Sequence, residues 1–272
     1  MPTELWVLVC FTLIVLGSFV VGTVAGFGTV VLVLALGASL ADVRWTMGWA
    51  IPLSVVFYLY LLAISWEHLD WQLLGRRLLP PMLPGLAVGM VASLWLSPTW
   101  LKLLFGIFVL GVGVWQVRDV RHPAPLEPLS DRLRWAMLAL GGLVQGAYGS
   151  GGPMVVFVAS REPHDKHSFR ATLNALWLGS SAILLPRLLL ERSLNGGTLR
   201  MAGMMLVPMA VGIALGNRLH AALEPRRFRQ VVAWTLVAAA LPLTLSAARA
   251  ASAGRGSRQR TSSQVCATSS GP

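Results

Sequence analysis

The sequence predicts an all-α polytopic membrane protein built from two inverted repeats of about four to five membrane segments each, with helices broken at glycine-rich elements. The first observation is composition: 55% of the 272 residues are hydrophobic, 12% are charged, and the mean hydropathy is +0.67. Ordinary soluble domains carry about 25% charged residues. The second observation is a series of long uncharged runs, and the third is a glycine-rich interruption inside two of these runs.

The uncharged runs are the candidate membrane segments. Most have close to the ~20 residues that cross a hydrocarbon core of about 30 Å as a helix. Backbone polar groups in lipid must pair within the segment, so we expect helices, and the runs lack the alternation of barrel strands. The runs cover residues 5–40, 45–66, 78–101, 103–117, 135–160, 171–186, 201–217 and 230–248.

Two of these runs have lengths that do not fit one span each. Residues 5–40 are too many for one crossing and too few for two, and residues 135–160 present the same problem. The first run contains GTVAGFGT at 22–29 and the second contains GSGGP at 149–153. A helix interior loses ~1 kcal/mol per Gly and ~3 kcal/mol per Pro relative to Ala. We therefore expect a full helix plus a shorter one in the first run, and two half-helices that meet at the break in the second.

Glycine spacing indicates an internal repeat. The Gly-x-x-x-Gly pairs Gly85/Gly89 and Gly212/Gly216 stand 127 residues apart, and Gly28 and Gly152 stand 124 apart. Such self-similarity predicts two copies of one unit. The predicted division is a first membrane repeat at 1–120, a polar linker at 121–132, a second membrane repeat at 133–248 and a disordered polar tail at 249–272.

Positive charge is distributed unevenly between the loops. The net charge is +11, and 13 of the 22 Lys and Arg residues fall in four loops that a five-segment repeat places on one side of the membrane. Cytoplasmic loops of membrane proteins carry such an excess, so this side is predicted to be cytoplasmic and nucleic acid is not the expected partner. An odd number of segments per repeat makes the second copy inverted. The loops cover residues 67–77, 118–134, 161–170 and 218–229.

The two breaks are the candidate substrate site. Inverted repeats with discontinuous helices are typical of secondary transporters, whose substrates bind near the midplane between the repeats. The N-terminus of a half-helix carries unpaired N–H groups and about half a positive charge, which suits an anion. Pro153 is interpreted as the start of a helix. The predicted binding residues are Gly26, Phe27, Gly28 and Thr29 at the first break, and Gly149, Ser150, Gly151, Gly152 and Pro153 at the second. The alternative is that these glycines only allow close helix packing.

A few further polar residues lie within the uncharged runs. Gln145, Tyr148 and Asn174 are predicted to line the substrate pathway, although hydrogen bonding between helices is an alternative for each. Arg187 is interpreted as snorkelling to the membrane interface, with a substrate counter-ion as the alternative. Cys10 and Cys266 lie far apart and form no metal-ligand spacing, so no metal site is expected. No cofactor is predicted either.

The repeat layout and the element GSGGP at 149–153 resemble those of the TauE/SafE family of sulfite-exporter-like membrane proteins. The resemblance covers about residues 5–245; GFGTV, which starts at Gly26, keeps only the first half of the motif. It implies a multi-pass protein of the bacterial inner membrane that exports or imports a small anion, such as sulfite or an organosulfonate, by alternating access. The expected partners are that anion and the lipid bilayer, with a homo-oligomer as one alternative that the sequence leaves open.

Three other functions remain as alternatives. An anion channel of the same fold would share these features, and a membrane scaffold would not need the glycine-rich breaks. An intramembrane enzyme is disfavoured because the runs hold no Asp, Glu or His partner for a nucleophile. The chain also lacks the Gly-x-x-x-x-Gly-Lys-Ser/Thr element of nucleotide-driven motors.

Overall fold

The computed structural model describes residues 5–121, 129–162 and 166–222, and this part of the chain is helical without strands. A 3₁₀ turn at Trp66–His68 and a π-helical stretch at Leu73–Leu78 lead into the fourth helix. The described α-helices are α1 (Leu5–Ala25), α2 (Thr29–Leu40), α3 (Val43–Ala63), α4 (Leu79–Trp95), α5 (Pro98–Arg121), α6 (Asp131–Tyr148), α7 (Gly152–Ala159), α8 (Lys166–Leu190), α9 (Gly196–Met204) and α10 (Leu206–Ala222).

Several of these helices are long and apolar enough to cross a membrane. Among the described residues, five such stretches are Leu5–Val24, Val43–Ala63, Leu73–Trp95, His167–Leu190 and Gly196–Leu219. Two shorter apolar helices are Thr29–Leu40 and Thr99–Trp115. The prediction of an all-α polytopic membrane protein is confirmed. The predicted segment at 230–248 and the tail at 249–272 lie outside the described residues.

The first uncharged run folds into a helical hairpin. Gly26 and Gly28 have φ angles of 76° and 88°, which L-residues with a side chain rarely adopt. The chain reverses there, so that α2 runs back along α1. A β-carbon on Gly37 would lie 3.2 Å from Phe11 Cε1, and Thr29 packs directly on Gly22. The predicted full helix followed by a shorter one is confirmed.

The second uncharged run is also a hairpin. Gly149 ends α6 with a φ angle of 70°, and its N–H donates to the carbonyl oxygen of Gln145 at 2.7 Å. A β-carbon on Gly141 would lie 3.1 Å from Val155 Cγ2, which shows that α7 returns along α6. The break is confirmed at 149–151, and α7 begins one residue before Pro153. Local sequence predicted the break but not the reversal, which the α6–α7 contact determines.

Two helix pairs join the halves of the chain through glycine contacts. The first pair is α4 with α6, where β-carbons on Gly85, Gly89, Gly142 or Gly146 would overlap backbone atoms of the partner helix. The second pair is α1 with α10, where a β-carbon on Gly212 would lie 2.8 Å from the carbonyl oxygen of Leu16. Each pair therefore combines one helix from the first half of the chain with one from the second. The packing of α3 on α8 also joins the two halves.

Ion pairs gather at one end of the helical bundle. Glu162, just after α7, pairs with Arg77 of the π-helical stretch and with Arg134 of α6 at 3.8 Å. The N–H of Asp70 donates to Thr172 Oγ1 at 3.1 Å, which ties the same region to α8. These residues come from or adjoin the loops that were predicted to share the cytoplasmic side, and they do lie together.

Candidate functional site

The two helix breaks contact each other at the centre of the fold. A β-carbon built on Gly152, at the start of α7, would lie 3.8 Å from Phe27 Cβ and 3.9 Å from the backbone nitrogen of Gly28. The N-termini of α2 and α7 thus approach one another. Gly28 and Gly152, which are separated by 124 positions in the sequence, therefore lie next to each other.

A small cavity of about 10 Å³ lies between the breaks. That volume holds about one water molecule. Val30, Val31 and Tyr58 supply apolar surface, whereas Ser150, Gln145 and Trp177 supply polar groups. The cavity is lined by Gly28, Val30, Val31, Tyr58, Gln145, Gly149, Ser150, Gly152 and Trp177.

The side chain of Gln145 accepts a hydrogen bond from the residue that precedes α7. Gln145 Oε1 accepts a hydrogen bond from the N–H of Gly151 at 2.8 Å, and Gln145 Nε2 donates to Ser180 Oγ at 3.0 Å. Gln145 is 2% exposed, so both bonds are sheltered from solvent. One N–H of the break is therefore satisfied within the protein, while no side chain caps the helix that follows. The other N–H groups in the first turn of α7 have no partner within the helix.

The start of α2 resembles the start of α7 because it also lacks a side-chain cap. Gly28 is its N-cap residue in the left-handed region, and no side chain caps this helix either. A β-carbon on Gly28 would meet no atom within 4 Å, although the φ angle of 88° strains any L-residue there. Thr29, 1% exposed, packs on Gly22 of α1. The first turn of α2 therefore also has N–H groups without a partner within the helix.

Several buried polar atoms on α8 and at the second break have no hydrogen-bond partner among the described residues. They are Ser150 Oγ, Trp177 Nε1 and both amide atoms of Asn174. These residues are 3%, 3% and 1% exposed. Buried polar groups are nearly always hydrogen-bonded, and leaving one unpaired costs about 1–3 kcal/mol. Unpaired donors around a cavity between two helix N-termini are suited to a ligand that accepts hydrogen bonds.

The predicted site residues have different positions relative to this cavity. Gly28, Gln145, Gly149, Ser150 and Gly152 line it. Gly26, Phe27 and Thr29 belong to the first break, and Pro153 is the second residue of α7. Asn174 lies on α8, three residues before Trp177.

Two predicted residues have contacts that explain them structurally. Tyr148 lies outside the cavity lining: its hydroxyl donates to the carbonyl oxygen of Leu101 at 3.0 Å, and its ring packs on Phe105. A β-carbon on Gly151 would overlap the carbonyl oxygen of Gly141. Gly151 is therefore a glycine because α7 packs closely on α6, which is the alternative that the sequence left open.

Tyr58 and Trp177 line the cavity and were missed by the sequence analysis. Trp177 falls at helical spacing from two other polar residues of α8, Arg170 and Asn174. A count of polar residues on one face of that apolar helix would have found it. Tyr58 follows a run of apolar residues, and its position depends on how α3 packs, which the sequence does not reveal.

The interpretation of Arg187 as a snorkelling residue is wrong. Arg187 is 2% exposed; its Nε bonds Glu191 Oε1 at 3.0 Å, and its Nη1 donates to the carbonyl oxygens of Gly146 and Ala147. The side chain therefore points inward to the last turn of α6, where carbonyls have no helical partner. The partner acid, Glu191, follows α8 directly, and its side chain is 4% exposed.

Comparison with known proteins agrees with this geometry. The sequence profile described as sulfite exporter TauE/SafE matches residues 10–243, which is most of the chain. The chain belongs to the TauE/SafE family. No solved structure matches this TauE/SafE protein.

Two curated relatives of this TauE/SafE chain have names that describe transport. The first is the probable inner membrane transporter protein TsaS of Comamonas testosteroni, 27% identical over 187 residues, which are 66% of this chain and 75% of the relative. The second is the probable sulfite/organosulfonate exporter TauE of Cupriavidus necator, 25% identical over 231 residues, which are 83% and 89% of the two chains. As a TauE/SafE protein, the chain is a multi-pass inner membrane transporter and not an enzyme.

Proposed function

We propose that this protein moves a small sulfur-containing anion, such as sulfite or an organosulfonate, across the inner membrane by alternating access. The observation that carries the proposal is the contact between the two breaks. A β-carbon built on Gly152 would lie 3.8 Å from Phe27 Cβ and 3.9 Å from the backbone nitrogen of Gly28. Two helix N-termini directed at one cavity favour a negatively charged ligand. The name of the Cupriavidus necator relative supplies the substrate class.

The residues around the cavity support an anion over a cation. None of the lining residues is acidic, and the unpaired groups there include the donors Ser150 Oγ and Trp177 Nε1. A cation would lose its hydration shell without gaining a carboxylate, whereas an oxyanion would accept hydrogen bonds that are otherwise unmade. The same donors stabilise sulfite and the sulfonate group, which both present several oxygen atoms.

The helix pairs support the proposed pair of inverted repeats. In one pair α1 packs on α10, and in the other α4 packs on α6 through Gly85 and Gly89. Suppose that α1 in the first half corresponds to α6 in the second, and α4 to α10. The pair α1–α10 is then equivalent to the pair α6–α4, with each helix replaced by its counterpart from the other half. This relationship is what a two-fold axis between the halves produces, and it supports a ligand site where the two halves meet.

The small size of the cavity favours a carrier over a channel. A channel needs a continuous opening, whereas the space between the breaks holds about one water molecule, at about 10 Å³. A carrier does not need an opening that is continuous through the protein at any one moment. Counterflow separates the two: unlabelled substrate on one side accelerates movement of labelled substrate from the other through a carrier, and has no such effect through a channel.

The membrane potential is the proposed driving force for export. A negative interior drives an anion outward with ~2.3 kcal/mol per charge per 100 mV. No nucleotide-driven motor is needed for this. Imposing potassium-diffusion potentials of opposite sign on proteoliposomes should accelerate efflux with one sign and slow it with the other. Equal rates at both signs would reject potential-driven export.

The test is efflux of radiolabelled sulfite and ethanesulfonate from proteoliposomes, for the parent protein and for Gly152→Ala and Gly152→Val. An alanine at 152 makes only ordinary contacts with Phe27, so the fold is kept while the cavity loses space. The matched control is Gly203→Ala on α9, where a β-carbon meets no atom within 4 Å. We expect saturable efflux in the parent and the control, reduced efflux with Ala and none with Val. A parent protein that behaves like empty liposomes for every sulfur anion would refute the proposal.

A further inference from the structure

Helix α8 places a cation beside the first break. The Arg170 side chain runs past Gly26, whose β-carbon position is 3.6 Å from Arg170 Cγ. Gly26 has a φ angle of 76° and opens the turn that leads to the N-terminus of α2. Arg170 therefore lies next to one of the two helix ends that form the proposed site.

No acidic residue in the described part of the chain pairs with Arg170. It is half-buried, and no described residue forms a hydrogen bond or ion pair with it. The carboxylate of Asp70, whose backbone is tied to α8 at Thr172, already accepts the N–H groups of Gln72 and Leu73 at 2.9 Å. Removing a guanidinium partly from water without a partner costs desolvation free energy. An anionic ligand would supply the missing interaction.

Arg170 belongs to a polar face of α8 that reaches the cavity. Arg170, Asn174 and Trp177 are spaced by four and three residues, so they lie on one side of the helix. Asn174 is 1% exposed with both amide atoms unpaired, and Trp177 is 3% exposed with its indole N–H unpaired. Trp177 lines the cavity, and Arg170 lies roughly 10 Å along the helix axis from it.

We propose that Arg170, Asn174 and Trp177 form the substrate-contacting face of α8. Arg170 is the counter-ion that pairs with the anion beside the first break. The inference rests on the proposed transport function and specifies how its site selects charge. Arg and Trp side chains only donate hydrogen bonds, so both ends of this face select an acceptor. The planar fork of the guanidinium matches two oxygens of one group, which favours sulfite and sulfonates over halides.

The first experiment compares Arg170→Gln, Arg170→Lys and Arg132→Gln in full-length protein in proteoliposomes. Arg132 is an exposed cation near the start of α6, so its replacement makes the same charge change away from the breaks. We expect Arg170→Gln to raise the KM for sulfite and ethanesulfonate roughly tenfold or more, as loss of a charged hydrogen bond implies. Arg170→Lys keeps the charge and should raise KM less, whereas Arg132→Gln should match the parent.

The second experiment replaces Trp177 by Phe, which keeps an aromatic ring and removes the N–H. We expect a rise in KM of roughly three- to tenfold, the range for one hydrogen bond. Folding of each variant is checked by a single symmetric peak in size-exclusion chromatography. The inference is wrong if Arg170→Lys raises KM as much as Arg170→Gln does. It is also wrong if Arg170→Gln has the same KM as Arg132→Gln while the parent transports; in both cases the proposed function stands. A parent that neither transports nor binds these anions would overturn both.

Discussion

The guanidinium of Arg187 donates a hydrogen bond from Nη1 to the carbonyl oxygen of Gly146, three residues before the second break. The same group is paired with Glu191 through Nε at 3.0 Å, and both side chains are almost fully buried. Arg187 therefore joins the end of α8 to the last turn of α6. Its position indicates that it holds the second break in place.

Replacing Arg187 by Leu should destabilise the protein strongly. Glu191 would remain buried without its partner, and removing one member of a buried ion pair costs about 3–5 kcal/mol. The double variant Arg187→Leu/Glu191→Leu should recover most of this loss because it leaves no unpaired charge. Thermal unfolding in detergent, followed by intrinsic fluorescence, measures the difference. Equal melting temperatures for the single and double variants would contradict the coupling.

Replacing Gly151 by Ala should damage the fold rather than the chemistry of the site. A β-carbon there overlaps the carbonyl oxygen of Gly141, so α7 must move away from α6. Gly152→Ala should keep the parent melting temperature, because its new contacts are near 3.8 Å. We expect a destabilisation of about 1–3 kcal/mol for Gly151→Ala, the usual cost of overpacking. Comparable stability of the two variants would show that α7 does not pack on α6 as described.

Two replacements of Gln145 separate its structural role from its effect on charge. Gln145→Leu removes the acceptor for the Gly151 N–H and should cost about 1–3 kcal/mol. Gln145→Glu keeps that acceptor but adds a negative charge to the cavity lining, so the protein should fold while anion efflux falls at least ~10-fold. Melting temperature and efflux are measured on the same preparations. Normal efflux in a stable Gln145→Glu protein would remove Gln145 from the substrate site.

Replacing Glu162 by Gln should loosen the end of the bundle where its ion pairs lie. Glu162 bridges Arg77 and Arg134, and its side chain is 11% exposed. Loss of this bridge should favour the state in which the cavity opens to that side. A cysteine introduced at Val31, in a background where Cys10 and Cys266 are Ser, reports the change. We expect faster labelling by a water-soluble thiol reagent in Glu162→Gln, with Asp131→Gln as the control because Asp131 is the exposed partner of Arg134.

The sequence predicted the membrane class, the positions of both breaks and most of the cavity lining. These features depend on local chemistry: uncharged length sets a membrane helix, and clustered glycines with Pro153 oppose a continuous one. The roles of Arg187 and Gly151 could not be predicted, because each depends on contact with α6 and not on its own neighbours in the chain. Arg170 was missed because it is an ordinary residue at the end of a loop until α8 is placed against the first break.

The glycine contacts between α4 and α6, and between α1 and α10, affect how such a transporter can move. Backbones in direct contact through Gly85, Gly89, Gly142 and Gly146 cannot slide past each other without separating, so α4 and α6 should travel together. The bodies that rock would then be composites of both halves: α1, α2 and α10 against α4, α6 and α7. The covalent connection between the halves would carry little of the mechanical coupling. Two separately expressed fragments, ending after α5 and starting before α6, should therefore assemble into a working protein.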